Sequence, residues 1–389
     1  DNLISLFVLA GLLVLIRYQT QVFQARGGLL ITGIAGVLMG SAAGLKLVAV
    51  IYAAGFTAAF VFLPLPVGRR IALLLAFGLG EIAGLLLFAG PWMLILWRET
   101  GTPLFPYFND LFQSPLINPT SQRDMNFIPA SLVERLFFPF YFSLDSTKVA
   151  EFAFRDMHIL MAFVLIPIAA LFTLIQRPDS HRGWTASLPG RYLLLGGSLS
   201  YLAWLILFCI YRYLIPLEML APLLIAIAVG TMPLTDRTRL IALAALLGIA
   251  QLLAYPDSQR RQAWGDRYLE VEIPPLAGDV PRLVVMAGTS PLAYLIPYFP
   301  SRTHFLRLDG YLVSSQDRTA GLAIAMRVRL EKHAGPILAL FQPFERERLM
   351  QALAAYDLEL ADSPCQQVTS SIAEPPFLCA VKAIRPRGE

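Results

Sequence analysis

Seven residues at the margins of apolar runs carry the chemistry that this sequence offers: Asp1, Lys46, Arg155, Asp156, His158, Arg212 and Tyr213. Lys46 separates two apolar runs. Arg155, Asp156 and His158 cluster where a long polar loop meets another, and Arg212 lies between Tyr211 and Tyr213 in a short turn, with Glu218 one to two turns further on. Cations held at the edge of an apolar layer suit a lipid-linked phosphate, whose head group lies at the interface. Lys46, Arg212 and Tyr213 are therefore candidate phosphate contacts, and Arg155 and His158 candidate substrate contacts. A carboxylate at the same depth, Asp1 or Asp156, can deprotonate an acceptor hydroxyl or steady a positive charge developing on a sugar.

Each of these residues also has a plainer reading. Lys46 can snorkel from a helix end. Tyr211, Arg212 and Tyr213 suit an interfacial aromatic belt. Arg155 and Asp156 can form a surface ion pair worth little, and Asp1 can be an ordinary loop residue. Several soluble-enzyme signatures are missing from the sequence: Gly-x-Ser-x-Gly, a Walker loop and His-Glu-x-x-His. The four histidines, at 158, 181, 304 and 333, are scattered, and no Asp-x-Asp pair exists to hold a metal on a nucleotide diphosphate. No metal and no cofactor is expected.

The elements that must position these residues are apolar helices. The chain has 389 residues, 56% hydrophobic and 15% charged, where a soluble domain has about 25% charged residues. Its mean hydropathy is +0.60. About eight segments approach the ~20 apolar residues that cross a hydrocarbon core, at 2–16, 28–45, 47–63, 71–97, 157–176, 192–211, 214–232 and 238–254. Arginines sit in alternate gaps between them: Arg17 and Arg26, Arg69 and Arg70, Arg177, Arg182 and Arg191, and Arg237 and Arg239. The positive-inside rule puts those gaps in the cytoplasm and the others outside. The net charge of +4 is thereby explained without nucleic acid. The fold expected is an all-α polytopic membrane domain over 1–255, with a long outer loop at 98–156, followed by a small extracytoplasmic α/β domain over 256–389. The chain opens directly on a membrane segment without an initiator Met, which reads as a piece of a longer protein.

Local signals refine this picture. Gly36, Gly40 and Gly44 form a small-xxx-small row for close helix approach, and Gly90-Pro91 is expected to kink or end its helix. Glu81, inside a span, is costly unless paired or facing a cavity. Ser131 and Glu134 make a capping-box pattern before an apolar run, predicting a short amphipathic helix on the membrane surface. Beyond 256, strands are expected at 283–288, 303–308 and 337–341, with helices at 291–298, 318–333 and 345–356. The Ala-Gly-Thr-Ser turn after the first strand lacks the spaced glycines of a phosphate-binding loop. Cys209 reads as packing. Cys365 and Cys379 are expected to form a disulfide if their compartment is oxidising, and remain free thiols otherwise.

In four places the sequence resembles the GT-C superfamily of integral-membrane glycosyltransferases, which includes protein O-mannosyltransferases and lipid A aminoarabinose transferases. These are Asp1 with the apolar run after it, Gly36-Val-Leu-Met-Gly-Ser-Ala-Ala-Gly-Leu-Lys46, Gly90-Pro-Trp through Thr100-Gly-Thr-Pro-Leu-Phe-Pro106, and Arg212-Tyr-Leu-Ile-Pro216. The resemblance covers about two-thirds of the chain. It implies an inverting transfer from a sugar on polyprenyl phosphate, outside the cytoplasmic membrane, to a lipid, glycan or protein acceptor. It also implies that Lys46 and Arg212 contact the donor phosphate and Asp1 the substrate. The family's catalytic carboxylate lies in a first outer loop between the first two spans, and this sequence does not contain that loop. A transporter or flippase for lipid-linked glycans, or a polysaccharide ligase, is the competing expectation.

Overall fold

The computed structural model describes residues 2–24, 27–120, 124–175, 187–255, 266, 269–276, 278–372 and 374–384. Asp1, Arg26, Arg177 and Arg182 lie outside the described residues. The chain divides into two compact units, Asp1–Leu94 with Arg123–Gln259, and Ile95–Gln122 with Arg260–Glu389.

The first unit is helical. Its elements begin with α1 (Asn2–Arg17), α2 (Leu29–Leu45), α3 (Val50–Ala59) and α4 (Val67–Thr100). A short helix that belongs with the second unit, α5 (Asn109–Phe112), precedes α6 (Leu132–Leu136) and α7 (Phe138–Leu144) in the chain. Then come α8 (His158–Ile175), α9 (Leu188–Leu207), α10 (Ile215–Thr231) and α11 (Asp236–Leu253). Every apolar segment expected from the sequence forms a helix. Among the described residues three stretches are long and apolar enough to cross a membrane: Val67–Thr100, Leu188–Leu207 and Tyr211–Thr231. Asn2–Arg17, Leu29–Leu45, Leu47–Phe62 and His158–Thr173 are shorter apolar helices. Leu75, Leu79, Ile82, Leu86 and Leu87 are all exposed along α4, a surface that suits lipid rather than water.

Of the two outcomes expected at Gly90-Pro91, a kink or an end, the helix does not end: α4 runs through Pro91 to Thr100. Proline forfeits one backbone hydrogen bond. Leaving the helix inside an apolar run would unpair several more.

The glycine row packs as its spacing suggests. A Cβ on Gly36 would come within 2.1 Å of the Phe77 carbonyl oxygen, and one on Gly40 within 1.9 Å of that of Glu81. From the other side, Gly80 and Gly84 approach the carbonyls of Gly33 and Val37 at 2.2 and 2.1 Å by the same measure. Helices α2 and α4 therefore touch backbone to backbone, which only hydrogen side chains permit. Glu81 uses one carboxylate oxygen to accept from Thr57 of α3, at 2.7 Å.

Connections between helices meet in two sets. Arg69, in the first turn of α4, donates to the carbonyls of Val22 and Gly27, both at 2.6 Å, and Arg70 donates to Val61 at 2.7 Å. In the other set, the Tyr52 hydroxyl donates to the Tyr213 carbonyl at 2.5 Å. The Tyr211 N–H donates to Val149 at 2.8 Å, and Arg155 and Tyr255 exchange backbone hydrogen bonds at 2.8 and 3.0 Å.

The second unit is built on a sheet. Strand β1 (Val271–Glu272) pairs with β7 (Thr369–Ser370). The main sheet takes β2 (Arg282–Ala287), β3 (Thr303–Asp309), β4 (Ile337–Phe341), β5 (Leu358–Leu360) and β8 (Phe377–Ala383) in the order β3-β2-β4-β8-β5, with β6 (Gln366–Gln367) also on β8. β2 is parallel to β3 and β4, while β8 runs antiparallel to β4. Two helices, α12 (Gly321–Lys332) and α13 (Arg346–Ala354), complete this unit. The expected helix at 318–333 starts three residues late, because Asp317 first accepts the N–H groups of Thr319 and Ala320 in a turn. Cys365 and Cys379 are bonded as a disulfide. The segment from 95 to 122 belongs to this unit. Pro115 and Leu116 accept backbone hydrogen bonds from Gly321 and Leu322, at 2.8 and 2.9 Å.

Candidate functional site

The connections on either side of Lys46 and Tyr213 are short and locally determined. Lys46 breaks the α2 helix in an extended conformation between Leu45 and a 3-10 turn at Leu47–Ala49. Tyr211–Leu214 form another 3-10 turn, which Pro216 converts into the first turn of α10. The two turns meet. The Lys46 ammonium stands 4.9 Å from the centre of the Tyr213 ring, and the Arg212 guanidinium 5.5 Å from the same ring. Arg212 is exposed and Tyr213 half-buried. The Tyr52–Tyr213 hydrogen bond pins the turn to α3.

Beside Arg212 lies a cavity of about 220 Å³. Its lining includes Arg212, Glu218, Glu151, Tyr211, Phe152 and Phe154. Phe154 packs on Tyr211 with ring centres 4.5 Å apart, and Phe152 on Phe154 at 6.0 Å. Glu218, in the first turn of α10, is half-buried and interacts with Asp156, His158 and Tyr211. The buried Tyr211 hydroxyl stands near both the Asp156 and Glu218 carboxylates without a well-formed hydrogen bond to either.

Asp156 and His158 come together, and Arg155 does not join them. One Asp156 oxygen lies 2.6 Å from His158 Nδ1. The other accepts the backbone N–H of His158 at 2.9 Å and of Ile159 at 3.4 Å, so that Asp156 caps α8. Among the described residues Asp156 makes no ion pair with Arg155, which is exposed and is held through its backbone to Tyr255. The plain reading of Arg155 and Asp156 as a surface pair is therefore replaced by an Asp156–His158 pair, since the cap turns the carboxylate back into its own helix.

The long connection between α4 and α8 is organised by its own polar groups. Asn109, fully buried, accepts from the Ser114 N–H at 2.8 Å and donates to Ile117 and Asn118 carbonyls at 3.2 and 2.9 Å. Ser131 accepts the Glu134 N–H at 3.1 Å, the expected first half of a capping box. Glu134 does not reach back, because its carboxylate pairs with Lys148 at 2.7 Å. That pairing, chiefly its hydrogen bond, raises the Lys148 pKa.

In the second unit, the Ala-Gly-Thr-Ser turn is occupied from within. Glu345 accepts the N–H groups of Thr289 and Ser290 at 2.6 and 2.9 Å. Among the described residues no cluster of His, Cys, Asp or Glu is placed to hold a metal ion.

No protein-family model, no curated protein and no solved structure matches this chain.

Of the residues singled out in the sequence, Lys46, Arg212 and Tyr213 form one group and Asp156 and His158 another. In the sequence Glu218 stands out only by its distance from Arg212. The signal that marks it is a carboxylate just inside an apolar helix, which is expensive without a polar surrounding.

Proposed function

We propose that this chain is part of a membrane glycosyltransferase of the GT-C kind, moving a sugar from a polyprenyl-phosphate donor to a lipid, glycan or protein acceptor on the outer side of the cytoplasmic membrane. The observation that carries this reading is the meeting of Lys46 and Arg212, from two separate turns, on the ring of Tyr213. The ring face attracts both cations, and an anionic head group can accept charge-assisted hydrogen bonds from Lys46 and Arg212 at the same place. A polyprenyl phosphate keeps its tail in lipid and its charge at such a depth.

Arrangement in eight spans with alternating ends is supported by the way the connections meet. The Arg69 contacts join two gaps of the arginine-rich set, and the Tyr52–Tyr213, Val149–Tyr211 and Arg155–Tyr255 contacts join residues of the other set. Exposed Leu132, Val133, Leu136 and Phe137 on α6 and its end suit a helix lying in the membrane surface. In this reading Asp156 acts through His158, holding its ring. His158 and Arg155 lie toward the acceptor, and Asp1 belongs to the substrate side.

The test is transfer of labelled sugar from polyprenyl phosphate by the full-length protein in lipid. Wild-type protein is expected to transfer, and Arg212→Ala and Lys46→Ala each to lose at least about tenfold, or ~1.4 kcal/mol of transition-state stabilisation. Both variants inserting normally and transferring at wild-type rates would make these residues interface anchors.

A further inference from the structure

The cavity beside Arg212 has contents that the phosphate reading does not use. Three aromatic rings, Phe152, Phe154 and Tyr211, line it together with Glu218 and Glu151, while Arg212 lies at its margin. Aromatic faces pack against the C–H faces of a ring, and carboxylates accept hydrogen bonds from hydroxyl or amino groups. Apolar lipid needs no carboxylate, and a phosphate would be repelled by two. A neutral or amino sugar uses both kinds of surface at once.

We infer that this cavity is the pocket for the transferred sugar ring, with Glu218 accepting hydrogen bonds from its hydroxyl or amino groups and Phe154 packing on its face. Glu218 is suited to this by position. It sits in the first turn of α10, directly after the turn that carries Arg212 and Tyr213, so one helix start presents both the phosphate contact and the sugar contact. It makes no ion pair among the described residues, whereas Asp156, its nearest competitor, has both oxygens engaged by His158 and the start of α8. Tyr211, which lines the same cavity, stands near both carboxylates. The assignment rests on the glycosyl-transfer reading for its donor, but the pocket itself makes a claim about sugars alone.

Two measurements separate the claims. Binding of free monosaccharides, neutral and amino, to the full-length protein in nanodiscs is followed by saturation-transfer NMR, and binding of sugar-free polyprenyl phosphate is measured in parallel. The pocket assignment predicts saturation transfer to at least one sugar. Glu218→Gln and Phe154→Leu should each weaken that signal at least about tenfold while leaving polyprenyl-phosphate affinity within about twofold, and Arg212→Ala should do the reverse. In the transfer assay Glu218→Gln should lower kcat/KM for the sugar donor by roughly tenfold to a hundredfold. Two variants guard against a fold defect, since they alter different elements of the lining. If Glu218→Gln and Phe154→Leu both leave sugar binding unchanged while Arg212→Ala abolishes polyprenyl-phosphate binding, the pocket assignment is wrong and the donor reading stands. If sugars bind through Glu218 but polyprenyl phosphate does not bind at all, the donor reading is wrong and the pocket stands.

Discussion

Lys46 and Tyr213, 167 positions apart in the chain, are brought together so that the ammonium lies 4.9 Å from the ring centre. The same ring faces Arg212 at 5.5 Å, so one aromatic side chain sets the spacing of both cations. A cation–π contact is worth about 0.5–2 kcal/mol depending on desolvation. Tyr213→Phe keeps the ring and should keep at least half of the transfer rate. Tyr213→Leu should raise the apparent KM for the lipid-linked donor by roughly threefold to tenfold, because both cations lose their reference surface. Arg237→Ala, an equal charge change at an exposed position in the first turn of α11, should leave turnover unchanged. Steady-state kinetics on the four proteins, with insertion checked by detergent gel filtration, reads this out.

Topology gives a second expectation. The arginine-rich gaps are tied to one another by Arg69, and the Lys46 turn to the Tyr213 turn. Membrane-impermeant thiol labelling of single introduced cysteines in intact cells should reach positions in 98–156 and beyond 256. It should not reach 177–191. Outside labelling of 177–191 would reverse the proposed orientation.

The backbone contact of α2 with α4 predicts a sharp difference between glycines. Any side chain at Gly40 meets the Glu81 carbonyl, whereas a Cβ at Gly78 meets nothing within 4 Å. Gly40→Ala should destabilise the protein by about 1–3 kcal/mol through overpacking. Gly78→Ala should be neutral, or stabilising by up to ~1 kcal/mol from helix propensity. Thermal unfolding in detergent, followed by fluorescence-detected gel filtration, distinguishes the two. Equal midpoints would show that the helices separate without cost.

Periodicity and apolar run length made the helices readable, and the glycine row made one helix contact readable, because both depend on local spacing. The Lys46–Arg212–Tyr213 group was legible for a related reason, since short turns leave few places for their side chains. Three features needed tertiary information. The length of α4 through Pro91 depends on the apolar surroundings that penalise leaving the helix. The partner of Asp156 depends on a cap that points the carboxylate at His158 rather than at its neighbour Arg155. The place of Glu218 depends on where the 149–154 strip folds, and nothing in its own neighbourhood specifies that. In the second unit β8, Phe377–Ala383, is not among the strands expected from the sequence; in the sheet it lies between β4 and β5.

The disulfide is a separate test of compartment and stability. Cys365 and Cys379 close a short loop, with a sequence separation of 14, and Cys379 lies on β8 opposite Ala339 of β4. A loop of this length contributes roughly 3 kcal/mol through the entropy of the unfolded chain. Cys365→Ser with Cys379→Ser should lower the stability of the second unit by about that amount. A non-reducing peptide map of protein from an oxidising compartment should show the linked pair. Two free thiols in that map would overturn both the pairing and the outward placement of this unit.

The contact between Asn118 and Asp317 predicts an acid-sensitive loop. The Asn118 side-chain amide donates to Asp317 at 2.7 Å. The Asp317 carboxyl is held below its ordinary value of 3.8, first by the Thr319 N–H and then by the Ala320 N–H and the Thr319 hydroxyl, with Asn118 adding to them. A depressed carboxylate pKa means that the folded turn favours the ionised form. The stabilisation is therefore complete above the ordinary value and fades as pH falls through the lower, folded value. Protonation then weakens the turn that delays the start of α12 and the hold of Asp317 on Asn118. Hydrogen exchange read by mass spectrometry, corrected for intrinsic rates, should show peptides covering 115–119 and 317–322 losing protection together as pH is lowered below 3.8. Asp317→Asn should show the weakened protection already near neutral pH, with no further acid step. An acid step of unchanged size in Asp317→Asn would assign the sensitivity to another carboxylate.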